Sequence, residues 1–249
     1  NAGALSNQGT VTVGVDDTGY DVKFFGATAG KYALWDESAD SWIISGTQST
    51  VTAGTSNYIA GVNAGNSIAS GGNYNVAVGD EAGTAITTGD NNVAIGYAAL
   101  DANTTASNNT AIGLSALTAN ITGDRNVAVG TYALDANTVG VRNNAIGYNA
   151  LGADTQGSKS VAFGYGAIQT QNLTSATDTF NVGIGYNSLG GNTTGINNTA
   201  IGGESLDSNT TASNNTAVGY ASLGANTTGA GNTAVGTFTL DANTTGATN

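Results

Sequence analysis

A five-residue motif close to Asn-[Val/Thr]-Ala-[Ile/Val]-Gly recurs ten times along the chain, at a step of 17 residues that is broken once. A period near 20 residues built on short β-like runs is typical of a solenoid, in which each coil stacks on the previous one. We therefore predict an all-β protein, a parallel β-roll or solenoid of about ten 17-residue coils. The last residue of the motif is called position 0, and these motif glycines are Gly79, Gly96, Gly113, Gly130, Gly147, Gly164, Gly185, Gly202, Gly219 and Gly236.

The composition narrows the functions open to such a chain. Of 249 residues, 17 are acidic and five are basic, so the formal net charge is −12. Five bases attract a phosphate backbone only weakly, so we expect no nucleic acid as partner. The sequence contains no run of about 18 apolar residues, so we expect no membrane insertion. The chain has no His, Cys or Met, which removes the commonest general base, the thiol nucleophile and the soft metal ligands. We expect neither enzyme activity nor a cofactor.

The repeat does not cover the whole chain. Residues 1–52 lack the 17-residue period but alternate short apolar runs with Gly and Asp turns, which predicts a small β-hairpin module that serves as attachment or connector. Residues 53–74 are interpreted as an entry coil with a degenerate copy of the motif, and residues 75–249 as the repeat shaft. The chain begins at Asn1 without an initiator Met, which indicates a processed product or a segment of something longer.

Within the shaft, each position of the coil forms a column of equivalent residues. Position −4 is Asn in nine motifs of ten, position −2 is Ala in nine, and position +4 is Leu in eight. We predict two strands per coil, at −4 to 0 and around +2 to +5, and an Asn ladder that repeats about every 4.8 Å, so that ten coils span about 48 Å. Residues chosen to represent the structural columns are Asn92, Ala94, Ile95, Gly96, Leu100, Asn109, Ala111, Ile112, Gly113 and Leu117.

The motif strand carries apolar residues on both of its faces. Val93 and Ile95 point to one side, and Ala94 and Gly96 point to the other. Because a strand that is apolar on both sides is usually buried on both sides, one face packs inside its own coil and the other needs a partner. The Ala/Gly face is small enough for another backbone to approach closely. We therefore predict lateral association of identical chains around a shared axis.

Two acidic features are candidates for binding divalent cations. Acids recur in alternate coils at position +5, where they either hold cations or keep the outer edge soluble. In the first 52 residues, Asp36, Glu37 and Asp40 are the candidate metal ligands, and an exposed turn is the alternative interpretation. The members of the +5 column are Asp101, Asp135, Asp207 and Asp241.

Three further features are candidates for recognition. One coil, between Gly164 and Gly185, carries four extra residues, which either belong to a binding face or form a neutral insertion. Tryptophans in the first 52 residues either stack on sugars or pack the small module. Tyrosines that recur at position +1 either contact glycans or pack against their neighbours. The candidate recognition residues are Gln171, Asn172, Asp178, Trp35 and Trp42, and the tyrosines are Tyr97, Tyr148, Tyr165, Tyr186 and Tyr220.

The motif in residues 92–96, Asn-Val-Ala-Ile-Gly followed by small residues and Leu100, resembles the head repeats of YadA-like trimeric autotransporter adhesins. The resemblance covers residues 75–246. It implies a left-handed parallel β-roll assembled as a homotrimer around one axis. This chain departs from that family in its longer coil, with an extra Asn-Thr-Thr-Gly run, and its 249 residues include neither the coiled-coil stalk nor the membrane anchor.

Residues 22–37, which read VKFFGATAGKYALWDE, resemble a module of structural and tail-fibre-like proteins of marine bacteriophages, especially cyanophages. Together the two resemblances imply a virion fibre in which a small β module precedes a trimeric shaft. The partners implied are further copies of the chain, other virion or surface proteins, and a host cell-surface glycan or protein. Neither resemblance transfers a site residue to this chain.

The sequence therefore favours a non-enzymatic structural fibre or appendage of a phage virion, located outside the cell. The alternative is a bacterial surface adhesin head or extracellular filament on the cell surface. A third function is an ice-binding solenoid, which needs a flat Thr-x-Thr face that the Thr-Thr-Gly turns do not supply cleanly. A polysaccharide-cleaving solenoid is the last alternative.

Overall fold

In the computed structural model the chain forms two compact units, residues 1–49 and 50–249. The described residues contain strands and turns but no helix, so the predicted all-β class is confirmed for them. It follows that none of these residues belongs to a helix long and apolar enough to cross a membrane. The structure describes residues 52–249 in full and, as backbone alone, residues 22–25, 32–36 and 41–45.

The described part of the first unit consists of three antiparallel strands. They are β1 (Val22–Phe25), β2 (Tyr32–Asp36) and β3 (Ser41–Ser45), in the order β1-β2-β3. Trp35 and Trp42 are directly opposite each other in the register of β2 and β3. The other residues of this unit lie outside the described residues, and its attachment role stays a prediction.

The second unit is a parallel β-solenoid of about ten turns, as the repeat predicted. Eleven three-residue strands lie side by side, and each pairs in register with its equivalents one coil away, so that Ala94 lies between Ala77 and Ala111. The strands are β4 (Tyr58–Ala60), β5 (Val76–Val78), β6 (Val93–Ile95), β7 (Thr110–Ile112), β8 (Val127–Val129), β9 (Asn144–Ile146), β11 (Val161–Phe163), β13 (Val182–Ile184), β14 (Thr199–Ile201), β15 (Thr216–Val218) and β16 (Thr233–Val235). A separate two-stranded parallel pair, β10 (Gly157–Ser158) and β12 (Thr177–Asp178), accompanies the four extra residues.

Apart from β10 and β12, each coil contains one strand, and the prediction of a second strand around +2 to +5 is wrong. This segment is a turn in which positions +2 and +4 have positive φ, 52° at Ala98 and 55° at Leu100. Residues with a Cβ rarely adopt this left-handed conformation. It is held by the stack, because the Leu100 N–H donates to the Ala116 carbonyl of the next coil at 3.0 Å. Full burial of each leucine contributes about 2 kcal/mol towards the conformational cost.

The small face of the motif strand lies inside the coil, so the prediction that it contacts a partner chain is wrong. Ala94 and Leu100 are fully buried, whereas Ile95 is 37% exposed. The core is one continuous cluster built largely from Ala at −2, small residues at +3 and Leu at +4. Two columns of small side chains leave room for one large side chain per coil. The apolar face that lacks a partner is therefore the Val/Ile face.

Asparagines at position −4 link each coil to the next. The side-chain oxygen of Asn92 accepts the backbone N–H of Asn109 at 3.0 Å, and its amide group donates to the Ala106 carbonyl at 2.9 Å. The predicted ladder thus runs mainly from side chain to backbone. Glycine at position 0 has a steric cause, because a Cβ on Gly113 would lie 2.7 Å from the carbonyl carbon of Gly130 and φ there is +133°.

Candidate interaction surface

A stripe of apolar side chains runs along the outer face of the long sheet. Its members occupy position −1, directly before the motif glycine. The six most exposed members have between 36% (Ile112) and 67% (Val235) of their surface accessible. A contiguous apolar surface that follows one edge of a protein usually marks an interaction site. The −1 stripe comprises Val78, Ile95, Ile112, Val129, Ile146, Phe163, Ile184, Ile201, Val218 and Val235.

A column of exposed tyrosines lies next to this stripe at position +1. The rings of Tyr148, Tyr165 and Tyr186 stack on one another, with centroids 5.1 and 5.5 Å apart and planes inclined by 13° and 18°. Tyr132, at position +2, packs edge-on against Tyr148. Because Tyr165 has a ring against both of its faces, neither face is free to stack on a sugar. The arrangement fits a wall that packs against neighbours better than a row of sugar platforms.

The candidate recognition residues of the interrupted coil differ in exposure and form two groups. Asn172 and Asp178 are exposed, and Asp178 forms an ion pair with Lys159. Gln171 is fully buried, so it does not contribute to an exposed recognition surface. Its long side chain instead bonds to Asp154 at 2.6 Å and to Asn181 at 2.7 Å. The insertion therefore has an exposed part and a part that repairs the stack.

A second column of buried amides lies at position +7, and sequence reasoning missed it. The Asn120 amide donates to the side-chain oxygen of Asn103 at 3.1 Å, and the Asn137 amide donates to that of Asn120 at 2.9 Å. The recurrence of Asn every 17 residues is the signal that could have found it, but a polar run of this kind is equally typical of a turn that closes the coil. Asp154 occupies the same column and is fully buried.

The acids of the +5 column lie along the solenoid without forming a metal cluster. Burial raises the pKa of Asp135, and backbone hydrogen bonds at Asp135 and Ala136 partly offset the rise. Burial raises the pKa of Asp207 as well, with a further contribution from the charge of Glu204. Glu204 also accepts a hydrogen bond from the Tyr220 hydroxyl at 2.8 Å, which raises the pKa of Tyr220. In residues 52–249, no three His, Cys, Asp or Glu side chains are grouped to hold a metal ion.

The candidate residues of the first unit are described in part. Asp36 ends β2 opposite Ser41 in register. Glu37 and Asp40 lie outside the described residues. The metal site at these acids and the sugar-binding role of the two tryptophans stay predictions.

A cavity of about 340 Å³ lies in the first coil of the solenoid. None of its lining residues has a side chain that titrates, so these residues offer no general acid or base. The lining residues are Thr52, Ala53, Ile59, Ala64, Gly65, Asn66 and Ile68.

Comparison of the chain with protein-family models, curated proteins and solved structures yields no match. The resemblances to YadA-like heads and to phage fibre modules therefore stay predictions.

Proposed function

We propose that this chain is a non-enzymatic structural fibre protein of a phage virion, whose solenoid forms a rigid homotrimeric rod. The observation that carries the proposal is the −1 stripe, an apolar column that is half-exposed or exposed along the outer face of the sheet, whereas the Ala column at −2 and nearly all of the Leu column at +4 are buried. A rod needs continuous bonding along its axis, and here each coil is hydrogen-bonded to the next through backbone and Asn side chains. Repeat stacks of this kind gain stability from every neighbouring pair of coils.

Self-association is the simplest way to cover the −1 stripe. The stripe runs in the direction in which the coils stack, so parallel copies arranged around an axis in that direction bring every stripe to the centre at once. Such cyclic arrangements close and leave no stripe exposed. A three-fold axis is the closure that the resemblance to YadA-like heads implies. The stacked tyrosines beside the stripe fit the edge of such an interface.

Substitutions in the stripe test this assembly. We expect Ile112→Asn together with Ile146→Asn to shift the trimer to monomer at micromolar concentration, because two buried polar groups would lack partners. Ile121→Asn is the matched control, since Ile121 is 46% exposed but lies outside the stripe. Sedimentation velocity on the three proteins gives the measurement. Equal dissociation by the stripe variant and the control would contradict the proposed interface.

Imaging of intact particles distinguishes the phage fibre from the bacterial adhesin. Antibody raised against residues 52–249 should decorate fibres of purified virions in electron micrographs, and the chain should be present among the virion proteins by mass spectrometry. Decoration of the bacterial surface, with virions unlabelled, would favour the adhesin alternative and contradict the virion assignment.

The ice-binding alternative receives no support from the threonine column at position +8. The Thr138 hydroxyl donates to the Thr155 carbonyl of the next coil at 3.0 Å, and Thr193 bonds to Thr210 in the same way at 3.0 Å. These hydroxyl donors are therefore engaged within the protein and are not free for a lattice of water.

A further inference from the structure

The three bases of the solenoid lie in one column, at position −5 of three consecutive coils. They are Arg125, Arg142 and Lys159, and the whole chain has five bases among 249 residues. Register is maintained by the backbone, because the N–H of Arg125 donates to Ser107 and that of Arg142 donates to Asp124, each at 3.1 Å in the preceding coil. We call these three residues the basic column.

Local chemistry does not account for the basic column. Acids outnumber bases 17 to five, yet the sole ion pair among the described residues joins Lys159 to Asp178. Arg125 and Arg142 are exposed and have no carboxylate within 4.0 Å in that part of the chain. Like charges directly opposite on neighbouring strands destabilise a stack. Two unpaired arginines one above the other therefore cost stability instead of adding it.

The backbone conformation also disfavours long basic side chains in this column. Residues of the basic column have positive φ, 59° at Arg125, 58° at Arg142 and 64° at Lys159. Asn tolerates this conformation better than long side chains do. Four of the other seven coils have Asn at this position, and the remaining three have Tyr74, Phe180 and Gly231; the asparagines are Asn91, Asn108, Asn197 and Asn214. The two arginines of this column thus go against both the repulsion between neighbouring like charges and the backbone preference, which points to a role outside the fold.

We propose that the basic column binds an anionic polysaccharide that carries regularly spaced sulfate or carboxylate groups. Guanidinium groups bind such groups through paired N–H donors. The column extends in the stacking direction with one cation per coil, about every 4.8 Å, which suits a polymer lying along the rod. Phe180, exposed and next in the column after Lys159, offers an aromatic ring beside the cations, with Lys159 Nζ 5.1 Å from its centroid.

The charge of the whole chain favours a polysaccharide over denser polyanions. A DNA duplex carries one phosphate about every 1.7 Å of its axis, and an anionic bilayer extends far beyond three coils. Both would meet the remaining surface of a chain with net charge −12 and be repelled. A polysaccharide with sparse acid groups can engage the column alone. This inference deepens the proposed fibre function, since it names the class of surface that the rod contacts.

Binding of defined polysaccharides to the intact chain tests the inference. At about 0.1 M salt, biolayer interferometry should detect binding of dextran sulfate or alginate but not of neutral dextran, and about 1 M salt should abolish it. Arg125→Asn with Arg142→Asn should weaken binding at least about tenfold. Asn already occupies this position in other coils, so we expect the variant to fold, and its thermal melting checks this.

A variant with its two arginines moved to other coils distinguishes the effect of the basic column from the effect of net charge. Arg125→Asn and Arg142→Asn combined with Asn91→Arg and Asn214→Arg keeps the number of arginines but separates them, and we expect binding to stay weak. Wild-type affinity in this variant, equal binding of neutral dextran, or a preference for phosphatidylglycerol vesicles or single-stranded DNA would each overturn the inference. So would loss of the trimer in the Arg→Asn variant, which would make the column a subunit contact.

The same samples distinguish failure of this inference from failure of the proposed fibre. Their solution mass is measured beside binding. A wild-type trimer that binds no anionic polysaccharide overturns the basic-column inference alone. A wild-type monomer that binds it supports the column and contradicts the trimeric rod.

Discussion

The regular coils and the interrupted coil solve the same stacking problem with different residues. At position +7 of regular coils, each Asn donates to the Asn before it, as Asn137 does to Asn120 at 2.9 Å. The next residue in the column is Asp154, whose carboxylate has no N–H to donate. The side-chain oxygen of Asn137 is therefore buried without a hydrogen-bond partner. A single change from amide to carboxylate breaks a chain of otherwise identical bonds.

The interrupted coil then repairs the stack with one longer side chain. Gln171 donates to Asp154 at 2.6 Å and to Ser160 at 3.2 Å, and its oxygen accepts the Asn181 amide at 2.7 Å. Gln171 is itself at position +7, and its extra methylene lets it bond directly to residues of the −4 column. In regular coils the two columns meet through a shared backbone carbonyl, such as that of Ala106. The comparison shows that the columns tolerate a change of length more readily than a change of hydrogen-bonding character.

Introducing a carboxylate into a regular coil gives the largest expected effect. Asn120→Asp removes donors to Asn103 and to the Gly123 carbonyl and buries a charge, so we expect a loss of about 3 kcal/mol in the free energy of unfolding. Asn243→Asp is the control in the half-exposed last coil and should cost less than about 1 kcal/mol. Denaturant unfolding measures both. Equal losses would show that burial in the regular stack is not what makes the amide necessary.

Restoring the amide in the interrupted region gives a smaller effect of opposite sign. Asp154→Asn supplies the donor that the Asn137 oxygen lacks and keeps an oxygen for Gln171. We expect a gain of about 1 kcal/mol in the free energy of unfolding. Denaturant unfolding under the same conditions gives the value. A loss of stability would mean that the carboxylate's bonds to Gln171 and to the Gly157 N–H outweigh the missing donor.

The +5 acids on either side of the interruption give the smallest effect, through pH. Asp135 and Asp207 both have a pKa raised above the ordinary 3.8, so the folded chain binds more protons than the unfolded chain between 3.8 and the raised value. Their contribution therefore makes the free energy of unfolding rise as pH falls through the folded pKa towards 3.8. Because both side chains are partly exposed, each contributes less than about 1 kcal/mol.

Substitutions distinguish the contributions of Asp135 and Asp207 to the pH dependence of stability. Asp135→Asn and Asp207→Asn should each flatten this part of the pH dependence, and Glu204→Gln should reduce the contribution of Asp207, since the Glu204 charge is its second cause. Thermal melting between about pH 3 and 6 is the measurement. A steeper rise in the variants than in the parent chain would contradict the assigned direction.

The 17-residue spacing was sufficient to predict the parallel stack and its columns, because one-coil register follows directly from the repeat. It did not predict which face of the strand is inside. Val93 is half-buried and Ala94 fully buried, and the choice depends on the width of the coil, which the turn after Gly96 sets. That turn has Leu100 in a left-handed conformation, which intrinsic preference disfavours and only the stack stabilises.

The candidate surfaces, too, could be predicted from the sequence only in part. Periodicity placed Ile112 and Tyr165 in columns, and the structure adds exposure for the former and ring stacking for the latter. Gln171 is a recognition candidate in the sequence because it lies in an insertion, yet hydrogen bonds within the core determine its position. Arg125 and Arg142 attracted no interpretation in the sequence, although their 17-residue spacing places them in one column. The structure adds that both are exposed and have no carboxylate within 4.0 Å among the described residues.

Sedimentation equilibrium on the chain at micromolar concentration tests the central claim, that the exposed −1 stripe is covered by copies of the same protein. We predict a mass of about 73 kDa, three times the chain mass of 24.4 kDa. A stable species of 24.4 kDa with intact β-sheet circular dichroism would contradict the trimeric rod.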